Sequence, residues 1–193
     1  MAQPRRLVLG STSPYRRQLL ERLGLPFEIA APSVEEQALP GESPADLALR
    51  LSVLKARSIR AENALVIGCD QAAALDGRLL GKPGSHDLAL RQLRELSGKS
   101  ADFQTAVSLL DTRTGSLDSR VVACRVTFRV LDERRIETYL RREQPYDCAG
   151  SAKAEGLGIA LIARIDTEDP TSLIGLPLIA LTELLERAGM PVV

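Results

Sequence analysis

Short apolar runs alternate with amphipathic stretches along most of the chain, and this pattern predicts strands interleaved with helices. The strand-like runs cover residues 7–10, 27–31, 64–69, 72–75, 78–80, 103–110, 117–130 and 157–165. The helix-like stretches begin near residues 14, 44, 85, 132 and 178. Because helices and strands alternate early and strands dominate the middle, we predict an α/β fold with a mixed, strongly bent sheet and flanking helices.

The first two predicted helices begin with serine followed by proline, at Ser13-Pro14 and Ser43-Pro44. Serine is a favoured N-cap and proline fits the first helical position. The free N–H groups at the start of the first helix favour an anion such as phosphate. In the second helix we expect three leucines to face inward, Leu47, Leu51 and Leu54. Lys55 lies one position off that stripe, from which it can reach toward the sheet edge.

Composition limits the class of protein. The 193 residues are 45% hydrophobic, which is enough for one sizeable core, so we expect a single domain over residues 1–193. Acidic and basic side chains are equal at 25 each, which argues against general binding of nucleic acid. The apolar runs are far shorter than the roughly 20 residues that span a bilayer, and the first residues lack the apolar core of a signal peptide. A cytoplasmic enzyme without nucleic-acid or membrane partners fits best.

The cysteines and the histidine do not match a disulfide framework or two familiar kinds of catalytic site. Cys69, Cys124 and Cys148 are odd in number and widely spaced, so they are read as reduced packing thiols and not as a disulfide framework. His86 is the single histidine and stands at a predicted helix start, which argues against a histidine-based zinc site or a Ser-His triad.

Asp70 directly follows the apolar run 64–69 and is predicted to lie where a buried strand ends. Such a strand end is the usual place for chemistry in an α/β sheet, and a carboxylate there can bind a divalent cation or accept a proton from water. Gly68 is expected to let a ligand approach the backbone closely. Taken alone, Asp70 is more simply explained as part of an ordinary turn after a strand.

Several other polar residues share the predicted positions of Asp70 at the ends of elements or in loops: Ser11, Arg16, Glu36, Lys55 and Lys82. Fixed cations neutralise phosphate charge, and one or two carboxylates can hold a metal that bridges phosphate oxygens. Together the set predicts a polyphosphate site. Each residue alone is more simply explained as a surface charge, and spacing does not show that they converge.

Six motifs occur in one order along nearly the whole chain: 9–20 (LGSTSPYRRQLL), 50–56 (RLSVLKA), 66–71 (VIGCDQ), 81–83 (GKP), 148–151 (CAGS) and 175–177 (GLP). In this order they resemble the Maf family of nucleoside triphosphate pyrophosphatases. Six motifs in register are far more specific than one short pattern. The resemblance implies a Maf/ITPase-like fold with a cleft between two lobes, and cleavage of a nucleoside triphosphate between its α and β phosphates.

The resemblance also implies roles for individual residues. Asp70 is expected to be the general base and a metal contact, with Glu36 as the second carboxylate for a divalent cation, Mg²⁺, Mn²⁺ or Co²⁺. The expected substrate-binding residues are Ser11, Arg16, Lys55 and Lys82. One departure concerns Glu35, where the family often has aspartate, and it leaves open whether Glu35 or Glu36 reaches the metal.

Three further positions resemble the specificity set of the family: Tyr15, Gln71 and Glu155. Tyr15 and Glu155 resemble the branch that acts on 7-methyl-GTP; the branch acting on dTTP and UTP usually has arginine and glutamine there. The positively charged N7-methylated base can stack on an aromatic ring, and a carboxylate can accept hydrogen bonds from its N1–H and amino edge. As plain structural residues, Tyr15 would pack at a helix start and Glu155 would be a solvated loop acid.

Several alternatives stay open at this point. The chain could hydrolyse dTTP, UTP or another unusual nucleotide, in clearance of damaged nucleotides or in recycling of cap-like ones. It could also be a nucleotide-binding regulator without turnover, or a scaffold that binds no ligand. The family resemblance implies a small nucleotide as partner and suggests a homodimer, for which the sequence has no heptad repeat or other interface signal.

Overall fold

The computed structural model describes residues 5–193, which contain five α-helices and seven β-strands. The strands are β1 (Arg6–Gly10), β2 (Glu28–Ala30), β3 (Ala64–Leu75), β4 (Arg78–Leu80), β5 (Ser100–Asp111), β6 (Leu117–Phe128) and β7 (Ile162–Thr167). The helices are α1 (Pro14–Glu21), α2 (Pro44–Ser58), α3 (His86–Leu96), α4 (Glu133–Glu143) and α5 (Leu178–Arg187). Short 3-10 helices cover Ala149–Ser151, Leu157–Leu161 and Ser172–Ile174.

Residue contacts divide the chain into two compact units. The first unit comprises the residues through Gln71 together with 105–122 and 169–193; the second comprises 72–104 and 123–168. Strands β3, β5 and β6 each contribute residues to both units. Pairing is parallel between β1 and its neighbours β2 and β3, and antiparallel for β4 with β3 and for β7 with β6. The predicted mixed α/β fold is therefore confirmed, whereas the strong bend and the cleft stay predictions.

The sheet of the first unit is covered by helices on both faces. Side chains alternate across a strand. In β3, Leu65 and Ile67 join the core that contains the apolar residues of α1 and α5, whereas Val66 packs with Ala56 of α2. This burial on both faces explains why residues 64–67 and Cys69 form an almost continuous apolar run instead of an alternating one.

Helix α2 buries a different stripe from the predicted one. Its buried residues recur in pairs four positions apart: Leu47, Ala48, Leu51, Ser52, Lys55 and Ala56. Leu54 was expected inside but is 39% exposed, because it lies off this stripe. Lys55 is only 5% exposed. The helix therefore carries a buried lysine to the sheet, where the leucine pattern placed it at the margin.

Strand β3 continues through Asp70, which corrects the prediction that the strand ends there. Its pairing partner changes instead: β1 pairs with β3 up to Gly68, and β4 pairs with it from Ala73 onward. Asp70 thus follows the carboxyl end of the parallel pairing although the strand itself is unbroken. The chemical expectation for this position survives, since it derives from where the parallel neighbour ends.

The second unit contains α3, α4 and the hairpin between β3 and β4, whose turn is Asp76-Gly77 between the predicted runs 72–75 and 78–80. The predicted strand 157–165 is wrong in its first half, because Leu157–Leu161 forms a 3-10 helix and β7 begins only at Ile162. A Cβ on Gly158 would lie 2.5 Å from the Lys153 carbonyl oxygen, so this glycine permits a tight turn where an extended strand was expected.

Four predicted helix starts are confirmed by side-chain caps: Ser13, Ser43, Ser85 and Asp132 each accept a hydrogen bond from the backbone N–H three residues on. Helix α5 is capped from farther away. The Asp169 carboxylate accepts from the Ile179 N–H at 2.7 Å, and the Thr171 hydroxyl accepts from the Leu178 N–H at 2.8 Å. In the described part of the chain, no helix is long and apolar enough to cross a membrane.

Candidate active site

Lys55 joins the two predicted carboxylates. Its Nζ lies 2.6 Å from Asp70 Oδ1 and 2.6 Å from Glu36 Oε1. Lys55 and Asp70 are buried, whereas the Glu36 side chain is exposed. One ammonium thus holds a buried and an exposed carboxylate together, and of the two neighbouring glutamates it is Glu36 that contacts Lys55.

Gly68 allows α2 to approach β3 closely enough for this contact. A Cβ at position 68 would lie 2.1 Å from the Ser52 carbonyl oxygen and 2.6 Å from the Ala56 nitrogen. The sequence predicted that Gly68 admits a ligand to the backbone, but the structure fills that space with the helix. Gly68 therefore acts by setting the distance between Lys55 and Asp70.

The pKa of Asp70 is raised above the ordinary aspartate value. Burial is the largest cause, because it disfavours the charged form, and the negative charge of Glu36 adds to it. The charges of Lys55 and Arg16 act in the opposite direction and do not overcome burial. Asp70 is thus a carboxylate with an increased tendency to take up a proton, which suits a general base.

The loop that carries Glu36 is held by Arg50 of α2, a residue to which sequence analysis gave no role. Arg50 makes two hydrogen bonds to Glu42, from Nε at 2.6 Å and from Nη2 at 2.8 Å. Its Nη2 also donates to the Gln37 carbonyl at 2.9 Å. Arg50, followed by the Leu39 N–H, lowers the pKa of Glu42 to about 2, so this anchor stays charged over a wide pH range.

Ser11 and Arg16 lie near the start of α1 and contact each other, with Arg16 Nη1 3.4 Å from Ser11 Oγ. Arg16 Nε donates to the Gly175 carbonyl at 2.9 Å, and the Cys69 thiol donates to the same oxygen at 2.9 Å. Burial raises the pKa of Cys69 to about 11, so it stays a thiol at neutral pH. Tyr15 is half-buried in the first turn of α1.

Gln71 follows Asp70 along β3, and its side chain contacts the segment before α5. Its Nε2 lies 2.9 Å from Thr105 Oγ1, 2.9 Å from the Ser172 carbonyl oxygen and 3.2 Å from the Leu173 carbonyl oxygen. Asp70 contacts α2 instead. The alternation of the strand thus directs two neighbouring candidate residues to different surroundings.

Lys82 and Glu155 belong to the second unit. Lys82 is exposed after β4, in a loop anchored by a hydrogen bond from Gln92 to the Gly81 carbonyl at 2.9 Å. Glu155 is exposed in a turn. The nearby protein atoms nevertheless partly desolvate this carboxyl and raise its pKa.

The turn that carries Glu155 is fixed by α4. Glu143 accepts from the Leu157 N–H at 2.7 Å and pairs with Lys153 at 3.2 Å, while the Tyr139 hydroxyl accepts from the Lys153 N–H at 3.0 Å. The sequence signal for this support was weak, since both residues belong to an ordinary amphipathic helix pattern. Such positioning contacts depend on tertiary structure and were missed.

The carboxylates of the site can be tested as ligands for a divalent cation. Residues 5–193 contain no group of three or more His, Cys, Asp or Glu side chains that could hold a metal ion. Two carboxylates, Asp70 and Glu36, do meet at one ammonium. One or two carboxylates completed by substrate phosphates and water are the usual ligand set for Mg²⁺. The residues therefore fit a metal that arrives with its nucleotide and do not form a cage of their own.

The sequence assigned no catalytic role to the cysteines or to His86. All three cysteines are free, with Cys69 and Cys124 buried. His86 contacts the Tyr146 hydroxyl at 3.0 Å and Glu137 at 3.2 Å within the second unit.

Comparison with known proteins decides the family. The model of the Maf family, described as Maf-like protein, matches residues 6–188. The chain belongs to the Maf family. The resemblance predicted from the six motifs is thereby confirmed, and the order of the motifs is explained by common descent over almost the whole chain.

Curated relatives are similar over nearly their full length. A 7-methyl-GTP pyrophosphatase of Cupriavidus pinatubonensis is 57% identical over 188 residues, covering 96% of this chain and 94% of that protein. The 7-methyl-GTP pyrophosphatase of Albidiferax ferrireducens is 53% identical over 196 residues, covering 100% and 98%. A solved HAM1 protein from Coxiella burnetii shares 14% identity with a TM-score of 0.44, covering 65% of this chain and 73% of that one.

Proposed function

We propose that this Maf protein hydrolyses 7-methyl-GTP to 7-methyl-GMP and pyrophosphate. The observation that carries the proposal is the 52–57% identity to relatives named 7-methyl-GTP pyrophosphatase, over 96–100% of this chain. The buried contact between Lys55 and Asp70 supports it, because a desolvated carboxylate beside a fixed cation suits attack by water on a polyphosphate.

In the proposed reaction, Asp70 accepts a proton from the attacking water. The water oxygen bonds to the α phosphorus, the bond from that phosphorus to the bridging oxygen breaks, and pyrophosphate leaves. The raised pKa of Asp70 strengthens it as a proton acceptor relative to an exposed aspartate. Water must reach a residue that is 8% exposed, so the attacking molecule is held in a confined position.

The cations of the site are proposed to bind phosphate. Arg16 is pre-positioned by its bond to the Gly175 carbonyl and lies beside the Ser11 hydroxyl. Lys55 can exchange a carboxylate contact for a phosphate oxygen, since it already holds two anions at 2.6 Å. Lys82 is assigned as a further phosphate ligand on the family motif at residues 81–83. Fixed cations stabilise the charge that grows on the leaving pyrophosphate.

A divalent cation is proposed to be held by Asp70 and Glu36. When bound, it would neutralise phosphate charge and polarise the phosphoryl group. Before the nucleotide enters, the Lys55 ammonium contacts both carboxylates and would offset the repulsion between their negative charges.

The base is proposed to be recognised by Tyr15, Gln71 and Glu155. A half-buried tyrosine ring can stack on the cationic methylated base, and a carboxylate can accept from its N–H edge. We also propose that residues 1–193 work as one functional domain on a small nucleotide in the cytoplasm. A homodimer stays a prediction.

Identification of the products from 7-methyl-GTP tests this function. We expect 7-methyl-GMP and pyrophosphate in equal amounts, resolved by chromatography and phosphorus NMR, and we expect EDTA to stop the reaction. Added Mg²⁺, Mn²⁺ or Co²⁺ in turn should restore it. Formation of the diphosphate and inorganic phosphate would refute the cleavage position, and tight nucleotide binding without any product would favour the regulator.

A further inference from the structure

The Gln71 side chain is surrounded by hydrogen-bond acceptors. Its Nε2 contacts the carbonyl oxygens of Ser172 and Leu173 and the hydroxyl of Thr105. Backbone carbonyls only accept hydrogen bonds, so the amide nitrogen must face them. The two N–H groups of this amide are therefore engaged by the protein.

Thr105 completes this arrangement because its own proton is used elsewhere. The Thr105 hydroxyl donates to the Ser172 carbonyl at 3.0 Å and is fully buried, so toward Gln71 it offers a lone pair. The Thr112 N–H donates to the Ala64 carbonyl. Seven residues forward from Ala64 and seven residues back from Thr112, the same register places Gln71 opposite Thr105. Flipping the amide would bring Oε1 against three acceptor oxygens, which is repulsive.

We propose that Thr105, with the Ser172 and Leu173 carbonyls, fixes the Gln71 amide so that it can only accept hydrogen bonds from a ligand. An unconstrained glutamine can rotate its amide and offer either a donor or an acceptor. A fixed Oε1 selects a base edge that presents N–H donors. Resting on the proposed function, this gives Gln71 one donor of the guanine N1–H and amino edge, the other being left to the carboxylate proposed at Glu155, and makes Thr105 a positioning residue for specificity.

The same geometry disfavours pyrimidine substrates. The uracil and thymine edges present one N–H between two carbonyl oxygens, so a fixed acceptor meets repulsion on either side of its single donor. Loss of the Thr105 hydroxyl would remove one of the three acceptors that oppose rotation of the amide, so the rotated form, which can donate to such a carbonyl, would become more accessible. Discrimination, more than the rate of the chemical step, should therefore depend on Thr105.

The test compares Thr105→Val, which keeps the shape and loses the hydroxyl, with Thr105→Ser, which keeps the hydroxyl. For the wild type and both variants, kcat and KM are measured on 7-methyl-GTP and on UTP. We expect Thr105→Val to reduce the ratio of the two kcat/KM values about tenfold, mainly through KM, as for a lost buried hydrogen bond. Thr105→Ser should stay within about twofold of the wild-type ratio. Equal losses in both variants, or an unchanged ratio in Thr105→Val, would overturn the proposal.

A substrate-free measurement separates this inference from the proposed function. In nitrogen-15 NMR spectra, the Gln71 side-chain amide should exchange its protons slowly in the wild type and Thr105→Ser, and faster in Thr105→Val. Unchanged exchange in Thr105→Val would refute the role of Thr105 whatever the substrate. A wild type that shows slow exchange but does not prefer 7-methyl-GTP would instead refute the proposed function and the guanine assignment while leaving the fixed amide.

A second variant guards against poor folding of Thr105→Val. Gln71→Met removes the amide and leaves the bond from Thr105 to Ser172 intact. It should lose the same selectivity for 7-methyl-GTP over UTP, with melting temperature recorded for each protein. Retention of the wild-type ratio in a folded Gln71→Met would contradict the assignment.

Discussion

Asp70 in the first unit and Asp166 in the second both contact a basic side chain, yet their pKa values move in opposite directions. Asp70 Oδ1 lies 2.6 Å from Lys55, and Asp166 Oδ1 lies 2.7 Å from Arg164 Nε. The pKa of Asp70 is raised, mainly by burial, whereas that of Asp166 is lowered, mainly by its hydrogen bond to Arg164. The Asp166 side chain is 43% exposed and keeps its hydration.

The difference shows that the distance to a cation does not by itself decide whether the pKa of a carboxyl group is raised or lowered. Water stabilises the charged form of Asp166, so the cation only adds to that stabilisation. Asp70 has lost most of its water, and one ammonium shared with Glu36 does not replace it. A buried carboxylate that remains difficult to ionise is costly for stability, which is typical of a residue kept for function.

Replacement of the two aspartates should separate these roles most strongly. Asp70→Asn removes the proposed proton acceptor with little change of shape, and we expect kcat on 7-methyl-GTP to fall by about 10² to 10⁴-fold. Asp166→Asn is the matched control and should leave kcat unchanged. Pyrophosphate release by the two variants and the wild type measures the effect. If Asp70→Asn and Asp166→Asn had comparable activity, the different surroundings of the two aspartates would not explain catalysis.

The next largest effect should come from Gly68→Ala, which pushes α2 away from β3. The new Cβ would collide with the Ser52 carbonyl, so Lys55 must move relative to Asp70. We expect a loss of about 1 to 3 kcal/mol in the free energy of unfolding from overpacking. Activity should fall by up to about 10²-fold because the site is displaced.

Gly81→Ala is the control for stability, because a Cβ there would have no atom within 4 Å. Denaturant unfolding of both variants should show a loss only for Gly68→Ala. If both glycines tolerate alanine equally, α2 is not held by close contact at Gly68.

NMR titration of the metal-free protein would measure the two aspartates directly. The chemical shift of the Asp70 carboxyl carbon should report a pKa above the ordinary aspartate value, and that of the Asp166 carboxyl carbon a pKa below it. Lys55→Met should raise the pKa of Asp70 by a further unit or more, about the effect of losing a nearby opposite charge. A pKa of Asp70 that falls or stays constant in Lys55→Met would show that Lys55 does not stabilise the carboxylate.

The smallest effect concerns stability and pH in the same metal-free protein. Because the folded-state pKa of Asp70 is raised, native protein binds more protons than unfolded protein between the ordinary and the raised value. Its contribution to the free energy of unfolding therefore decreases as pH rises through that window. The stability of the wild type relative to Asp70→Asn should decline with pH there. A relative stability that increases with pH would mean that the pKa is lowered.

The parts that sequence predicted well depend on local patterns. Ser13 and Ser43 cap helices as expected, since a cap is decided by a few neighbouring residues. The cluster of Lys55, Asp70 and Glu36 was proposed from element ends and family resemblance, and their contact is present in the structure. Periodicity alone could not have shown that these residues meet.

The parts that sequence missed depend on neighbours distant in the chain. Leu54 has the spacing of a core residue, but the face of α2 that packs closely on Gly68 carries Ser52 and Ala56 instead. The run 157–165 looks extended until the tight turn near Lys153 is known. Thr105 carried no motif, and only the register between β3 and β5 places it beside Gln71.

The buried Asp70 carboxylate is proposed to serve one preferred substrate, 7-methyl-GTP, and both parts of this proposal can be tested in one experiment. The kcat/KM values for pyrophosphate release from 7-methyl-GTP, UTP and dTTP are compared in the wild type and Asp70→Asn with Mg²⁺ present. We predict a clear preference for 7-methyl-GTP in the wild type and loss of release from all three nucleotides in the variant. A preference for UTP or dTTP, or release that persists in Asp70→Asn, would contradict the account.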